Sequence, residues 1–308
     1  MNPMNPKNPL IKLHKMTLSV IVPAYNANTT LPRLLDSLLN QTYEDFEIVV
    51  VDDCSTDNTS EIVKAYNCNL IQLTRNHGPA HCRNIGAQNA RGDILAFTDS
   101  DCRVDIQWLK NIQKHFFQND TEAIMGRLVL LPSNFLGDSI SALGFPGGGT
   151  IGFDKIWKVD QKGFTDSISS CNFAIPKNVF WKIGGFDESF PYPGGEDSLF
   201  AYHLRRLNYK IKYCPDVLVY HAARDSIKDF LKWQFRRGIS SFIFSTKVSN
   251  KRKFLSLRVW STGNIIRHSW RDKKFLLILF LLSTSFVSQF IGFIFAKHCK
   301  DRYASSHY

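Results

Sequence analysis

Over its first hundred residues the chain alternates two periods, and that alternation restricts its possible folds more than any other feature. Short runs rich in Val and Ile fall at Ser19–Pro23, Glu47–Val51, Leu70–Leu73 and Ile94–Thr98. Between them lie stretches of helical period at Leu31–Asn40, Ser60–Tyr66 and Ala80–Ala90, with another at Trp108–Phe117. Continuous apolar strands separated by helices predict an α/β fold with a parallel sheet covered on both faces. Ligands bind such sheets outside the carboxyl ends of the strands. Those ends read Pro23–Asn26, Asp52–Asp53, Thr74–Asn76 and Asp99–Asp101, so two of the four are acidic. Acidic ends repel a bare phosphate and suit a cation or a ribose hydroxyl.

The middle of the chain, Gly126 to Thr165, carries the tract Gly144-Phe-Pro-Gly-Gly-Gly149 and reads as mobile loop. A strand is expected through Ser169–Ile175, a helix from Pro176, a turn at Gly184-Gly-Phe-Asp-Glu188, a helix over Glu196–Leu207, and a strand over Lys210–Tyr220 ending at His221. Beyond Ile227 the spacing of Phe230, Trp233, Phe242 and Phe244 is that of an amphipathic helix, followed by a basic linker. The run Phe275–Ala296 then holds 22 residues without a charge. As a helix it would extend roughly 33 Å, enough to enter and cross a hydrocarbon core. Ser283, Thr284, Ser285, Ser288 and Gln289 dilute it, which leaves a buried or in-plane helix as the alternative.

The formal charge of +11 is unevenly spread: 17 Lys and Arg against 4 Asp and Glu after His221, and 21 against 23 up to it. The basic excess therefore lies beside the most apolar segment, which points to an anionic membrane surface and not to nucleic acid. The seven cysteines are scattered, with no Cys-x-x-Cys pair, and fit reduced thiols better than a zinc site or a disulfide framework. The opening, Met1 to Lys15, has no apolar core and reads as a flexible leader.

Three places carry candidate chemistry. Asp99-Ser-Asp101 follows an apolar strand, and its two carboxylates at i and i+2 offer hard oxygen ligands for Mg²⁺ or Mn²⁺; a solvated strand end is the plain alternative. Asp52-Asp53 closes the second strand, where its acids serve equally as turn and helix caps. Glu196-Asp197 follows Pro193-Gly-Gly195 and, alone, reads first as a negatively charged helix N-terminus and second as a general base. His221 at a strand end and Arg83 early on a helix are each more often structural than catalytic. The first strand ends in Pro23-Ala-Tyr-Asn26, without Gly-x-Gly-x-x-Gly, so a dinucleotide site is disfavoured.

Taken in order, Ser19-Val-Ile-Val-Pro-Ala-Tyr-Asn26, Val49-Val-Val-Asp-Asp-Cys-Ser-Thr-Asp57, Arg83-Asn-Ile-Gly86, Asp99-Ser-Asp101, Gly184-Gly-Phe-Asp187, Glu196-Asp197 and His221 resemble the motifs of the family 2 glycosyltransferases. The resemblance runs from about Thr17 to Gly238. It implies the GT-A fold, a Rossmann-like, mixed and mostly parallel sheet with helices on both faces, here with C-terminal amphipathic and membrane helices. It implies catalytic residues 17–226 (a nucleotide half 17–125 and an acceptor half 126–226), a linker 227–274, a membrane helix 275–296 and a tail 297–308. By the same resemblance Pro23 and Asp53 contact the uridine, with Asp53 facing the base, and Tyr25 and Arg83 are donor-binding positions. Asp99 and Asp101 form the metal and ribose-diphosphate motif, with Asp101 the more direct ligand. Asp197 is the catalytic base, and His221 is an added metal ligand. Arg236 and Arg237 are similar to the basic motif of processive members. The chain departs from that motif, having Trp-Gln-Phe-Arg-Arg-Gly from Trp233 to Gly238, and lacks those members' several membrane helices.

The resemblance therefore implies an inverting, Mn²⁺- or Mg²⁺-dependent transfer of one sugar from a nucleotide-sugar, expected to be a UDP-sugar. The acceptor is expected to be a hydroxyl of a glycan or lipid-linked molecule, at the cytoplasmic face of the cell membrane. Transfer to a polyprenyl phosphate is the near alternative. A nucleotidyltransferase is more distant, since the first strand is not followed by a Gly-rich basic loop, and intact Asp101, Asp197 and His221 argue against a non-catalytic membrane-surface protein.

Overall fold

A computed structural model describes residues 16–118, 121–249 and 251–299, with the side chains of 118 and 251–258 left aside. The leader 1–15 and the tail from residue 300 on lie outside the described residues. The first half follows the alternation: β1 (Leu18–Ala24), α1 (Leu31–Leu39), β2 (Phe46–Asp52), α2 (Thr59–Lys64), β3 (Asn69–Gln72), α3 (Pro79–Asn89) and β4 (Ile94–Phe97). β1 pairs in parallel with both β2 and β4, and β2 with β3. Val20, Ile21, Val50, Leu95 and Phe97 are fully enclosed, as strands covered on both faces must be.

Past β4 the chain makes the short β5 (Cys102–Val104), α4 (Trp108–Gln118) and β6 (Ala123–Leu130). Then come α5 (Phe135–Ser141), the single turn α6 (Phe153–Ile156) and β7 (Phe164–Thr165). The span expected to be loop is therefore half wrong: β6 enters the middle of the sheet, and α5 and α6 pack under the C-terminal helices. Its partners lie remote in sequence, with β8 (Phe173–Pro176) on one side and β9 (Ile211–His221) on the other, so no local period announces it. Gly126 sits at the bulge of the β6–β9 pairing, where any Cβ would collide with buried Asn172. Asn172 in turn ties three segments, accepting from the Trp108 indole at 2.9 Å and donating to the carbonyls of Arg127 and Val217.

The complete sheet is mixed, in the order β3-β2-β1-β4-β8-β6-β9-β5, with β7 on β9. Two helices, α7 (Lys177–Ile183) and α8 (Glu196–Arg206), lie between β8 and β9 in sequence. Because β2, β1 and β4 are adjacent and parallel, Asp53, Pro23 with Tyr25, and Asp99 share one rim of the sheet.

The region expected as one amphipathic linker is two helices, α9 (Ile227–Lys247) and α10 (Lys251–Ser269), followed by α11 (Phe275–His298). Phe230 packs with Ile278, Gln289 donates to Gln234 at 2.7 Å, and the Phe242 and Phe293 rings meet at 5.5 Å, so α9 and α11 run side by side in one direction. Gly238 and Gly292 let the two backbones touch; a Cβ on either would strike the other helix's main chain. Among the described residues α11 is the one helix long and apolar enough to cross a membrane. Its inner side is given to protein, while Leu276, Phe280, Phe290 and Ile291 are exposed.

Candidate active site

The residues singled out above converge from four elements. Asp99 and Asp101 follow β4, and β5 then pairs antiparallel with β9 so that Cys102 stands opposite His221. That register sets His221 Nε2 at 3.3 Å from Asp101 Oδ1. The other ring nitrogen, Nδ1, lies 2.7 Å from the Ala222 carbonyl. A carbonyl only accepts, so the network assigns the ring proton of neutral His221 to Nδ1 and leaves a lone pair on Nε2 facing a carboxylate. Two lone pairs at that distance repel unless a proton or a cation lies between them. The oxygen–nitrogen donor set thus fits a divalent cation such as Mn²⁺. Two thiols border this locus: the donor atoms of Asp99, Cys171 and His221, and separately of Asp101, Cys102 and His221, lie within 4.8 Å of one another.

Arg83 is buried and lines the same cavity as Asp99, Asp197 and His221. One Nη donates to Asp99 Oδ1 at 2.7 Å and the other to Glu196 Oε1 at 3.3 Å. Asp99, Asp197 and Glu196 all hold the guanidinium in its charged form against the opposing effect of burial. A buried cation clasped by two carboxylates fixes the strand-end motif to the start of α8. The neighbouring Asn84 clasps the turn before it, donating to the Phe186 carbonyl and accepting from the Phe186 amide, both at 2.8 Å. The motif Arg83-Asn84 is thus a brace for two remote loops.

Gly194 and Gly195, at φ of 104° and 124°, adopt a conformation that L side chains rarely reach and deliver Glu196 and Asp197 to the cavity wall. The two acids are used differently. Glu196 Oε1 is held by Arg83 and Oε2 accepts from the Gly194 amide at 2.7 Å. Asp197 Oδ2 accepts from the Ser170 amide at 3.2 Å, while Oδ1 is buried without a hydrogen-bond partner. Burial raises the pKa of both, that of Glu196 to about 7, and the adjacent Asp197 charge adds to the rise in Glu196. Arg83 opposes both rises.

The rim beyond β1 and β2 is quieter. Asp53 is buried and accepts from the backbone amides of His77 and Gly78 at 2.7 and 2.8 Å, bracing the entry to α3. Tyr25 is half exposed beyond β1. On the far side Arg237 lines the same cavity as Asp99, Asp197 and His221, whereas Arg236 lies over the Tyr192 ring at 4.6 Å and is not among the lining residues. Sequence reading missed Ser170 and Cys171, which it assigned to the strand Ser169–Ile175, whereas they form a short turn before β8. It also missed Asp166 and Arg205, which pair at 2.8 Å on the cavity wall.

The profile described as Glycosyl transferase family 2 matches residues 19–183, more than half the chain. The chain is 28 % identical over 257 residues to the glycosyltransferase AglE of Haloferax volcanii, covering 79 % of each. It is 38 % identical over 117 residues to the poly(ribitol-phosphate) β-N-acetylglucosaminyltransferase TarS of Staphylococcus aureus, covering 36 % of this chain and 20 % of that one. Among solved structures, the mannosyltransferase PcManGT of Pyrobaculum calidifontis, in complex with GDP-Man and Mn²⁺, superposes with a TM-score of 0.58 at 19 % identity. That match covers 97 % of this chain and 89 % of the other, and it establishes a shared fold.

Proposed function

Since this chain belongs to glycosyltransferase family 2, we propose that it moves a single sugar, with inversion, from a nucleotide-sugar to an acceptor hydroxyl. The observation that carries the reading is the unpartnered Oδ1 of Asp197, held in the cavity that Asp99 and His221 also line. A general base needs an open lone pair within reach of the proton it removes, and Asp197 has one where Glu196 has none. Asp197 takes the acceptor proton as the acceptor oxygen attacks the anomeric carbon from the face opposite the leaving group. The bond from that carbon to the diphosphate breaks, and the nucleoside diphosphate leaves with the electron pair.

Asp101 and His221, with the Asp99 oxygen that Arg83 does not hold, are the residues that would bind Mn²⁺ or Mg²⁺. When bound, such an ion offsets the negative charge that develops on the leaving diphosphate. Pro23, Tyr25 and Asp53 would hold the nucleoside, with uridine the expected base. PcManGT is in complex with GDP-Man, so the fold also accepts a guanine nucleotide. Arg237 is the better placed of the two arginines to face a phosphate; Arg236 faces Tyr192 instead.

Membrane association follows from α11, in an altered form. A helix crossing the bilayer would draw its partner α9 in with it, and α9 carries Lys228, Asp229, Lys232, Arg236, Arg237 and Lys247. Each charge at the bilayer centre costs on the order of 3 kcal/mol. We therefore place α11 in the plane of the cytoplasmic membrane surface, its exposed Leu276, Phe280 and Phe290 in the lipid.

The test is nucleotide release from a panel of nucleotide-sugars with Mn²⁺, against Asp101→Ala. Release that depends on one donor and is lost in the variant is expected; release unchanged in the variant would remove Asp101 from the metal site. Transfer by Asp197→Asn separates the acceptor classes. A hydroxyl acceptor needs the base, whereas a phosphate acceptor is already an anion, so undiminished turnover would favour the polyprenyl-phosphate alternative.

A further inference from the structure

The cavity that reaches Asp197 encloses about 280 Å³ and runs on into a channel between α9, α10 and α11, walled by Trp233, Ile265 and Leu282. Its polar wall holds a thiol that the transfer reaction leaves unused. Asp99, Cys171 and His221 all line the cavity, and a carboxylate oxygen, the sulfur and a ring nitrogen lie within 4.8 Å of one another. Cys171 and His221 are buried and Asp99 is half-buried. Cys171 sits in the short turn Ser170–Asn172, whose Asn172 side chain is tied to Trp108, Arg127 and Val217, so the sulfur has a stiff support. The Ser169 hydroxyl lies 3.1 Å from that sulfur and can donate to it once the thiol proton has left. Sequence spacing disfavours a zinc site, since no two cysteines form a Cys-x-x-Cys pair. The fold nevertheless gathers a thiol, an imidazole and a carboxylate from three separate segments.

We propose that this trio is an alternative cation site, selective for a thiophilic divalent ion such as Zn²⁺, and that filling it switches the transferase off. Oxygen ligands suit Mg²⁺ and Mn²⁺, whereas sulfur beside an imidazole favours Zn²⁺, which also outranks Mn²⁺ in affinity for nitrogen and sulfur donors. Three protein ligands leave a fourth position open toward the cavity. Binding breaks the S–H bond of Cys171 and forms an S–Zn bond; the proton passes to solvent and nothing is oxidised. His221 Nε2 has one lone pair, and the Mn²⁺ site assigned to Asp101 and His221 needs the same one. Zn²⁺ on Asp99, Cys171 and His221 therefore excludes Mn²⁺. That exclusion rests on the metal assignment proposed above; the zinc site itself does not.

The experiment titrates the full chain, in detergent with its thiols reduced, with Co²⁺ as a spectroscopic stand-in for Zn²⁺. A thiolate-to-cobalt charge-transfer band in the near ultraviolet is expected, displaced by Zn²⁺. Surface sites made of histidine and carboxylate alone give no such band. Cys171→Ser should abolish it and weaken Zn²⁺ at least about 100-fold, since losing a mere supporting partner of a metal ligand already costs roughly 10–100-fold. Cys171→Ala repeats the test if the serine variant does not fold. Mn²⁺ binding with UDP or GDP present is read from the loss of the free-ion paramagnetic resonance signal. Zn²⁺ should displace Mn²⁺ from the wild type and far less readily from Cys171→Ser. A band that is absent from the wild type, that survives both Cys171 variants, or that is lost only in Cys102→Ser would overturn the proposal, as would Zn²⁺ and Mn²⁺ bound together. Failure of Mn²⁺ to bind in the absence of Zn²⁺ would sink the Asp101–His221 assignment, while the cobalt band still decides the thiol.

Discussion

Two acidic pairs, Asp52-Asp53 after β2 and Glu196-Asp197 after the glycine turn, look alike in the sequence and differ in what the fold leaves free. In the first pair every carboxylate is occupied: Asp52 accepts from the Ser55 amide at 3.0 Å and from the Ser60 hydroxyl, and Asp53 from the amides of His77 and Gly78. In the second pair three oxygens are occupied and Asp197 Oδ1 is not. Acid type and spacing therefore do not separate a cap from a base. The count of donors that the surrounding loops bring to each oxygen does.

Four substitutions probe that contrast, in falling order of effect. Asp197→Asn should lower transfer to a hydroxyl acceptor by about 10²–10⁴-fold with donor binding intact, measured as kcat against donor Kd. A comparable loss from Asp53→Asn, with none from Asp197→Asn, would invert the comparison. Arg83→Met should cost roughly 3–5 kcal/mol, read from the urea midpoint, because it leaves the buried Glu196 and the half-buried Asp99 without their cation. Asp53→Asn should cost about 1–3 kcal/mol, since an amide can serve only one of the two backbone N–H groups that a carboxylate serves together. An unchanged midpoint would remove Asp53 as a brace, while weaker donor binding in the same variant is the outcome expected if it also holds the nucleoside.

Glu196→Gln tests the smallest effect. The folded pKa of Glu196 is raised above its unfolded value, so its contribution is fully present below the unfolded pKa and is lost as pH rises through about 7. Thermal stability of the wild type should accordingly decline between about pH 4.5 and 7, and that slope should flatten in Glu196→Gln. An equal slope in both proteins would show that Glu196 does not titrate there. The acid limb of the rate profile, set by Asp197, should lie above that of an exposed aspartate, because burial raises its pKa and the base acts only when ionised.

The parallel half was legible because its signals are local. Each strand is a continuous apolar run closed by a polar pair, so β1, β2 and β4 and the rim residues Asp53 and Asp99 could be placed from sequence. The span 126–165 was not, because its glycines argue for loop while β6 owes its place to β8 and β9, far along the chain. Arg83 was legible as a motif but not as a brace, since its two acids come from segments that only the fold brings together. The channel between α9, α10 and α11 had no signature at all. An apolar helix reads the same whether its inner side meets protein, a cavity or lipid.

The pairing of β5 with β9 has a consequence for how the chain comes to be active. His221 meets Asp101 only because Cys102 is in register with it, on a ladder joining residues more than a hundred positions apart. A slip of one residue would turn the imidazole to the opposite face of the sheet. Contacts of such separation are slow to form. During synthesis the parallel strands β1 to β4 are therefore made well before β9, and the meeting of Asp101 with His221 waits until the last edge of the sheet pairs.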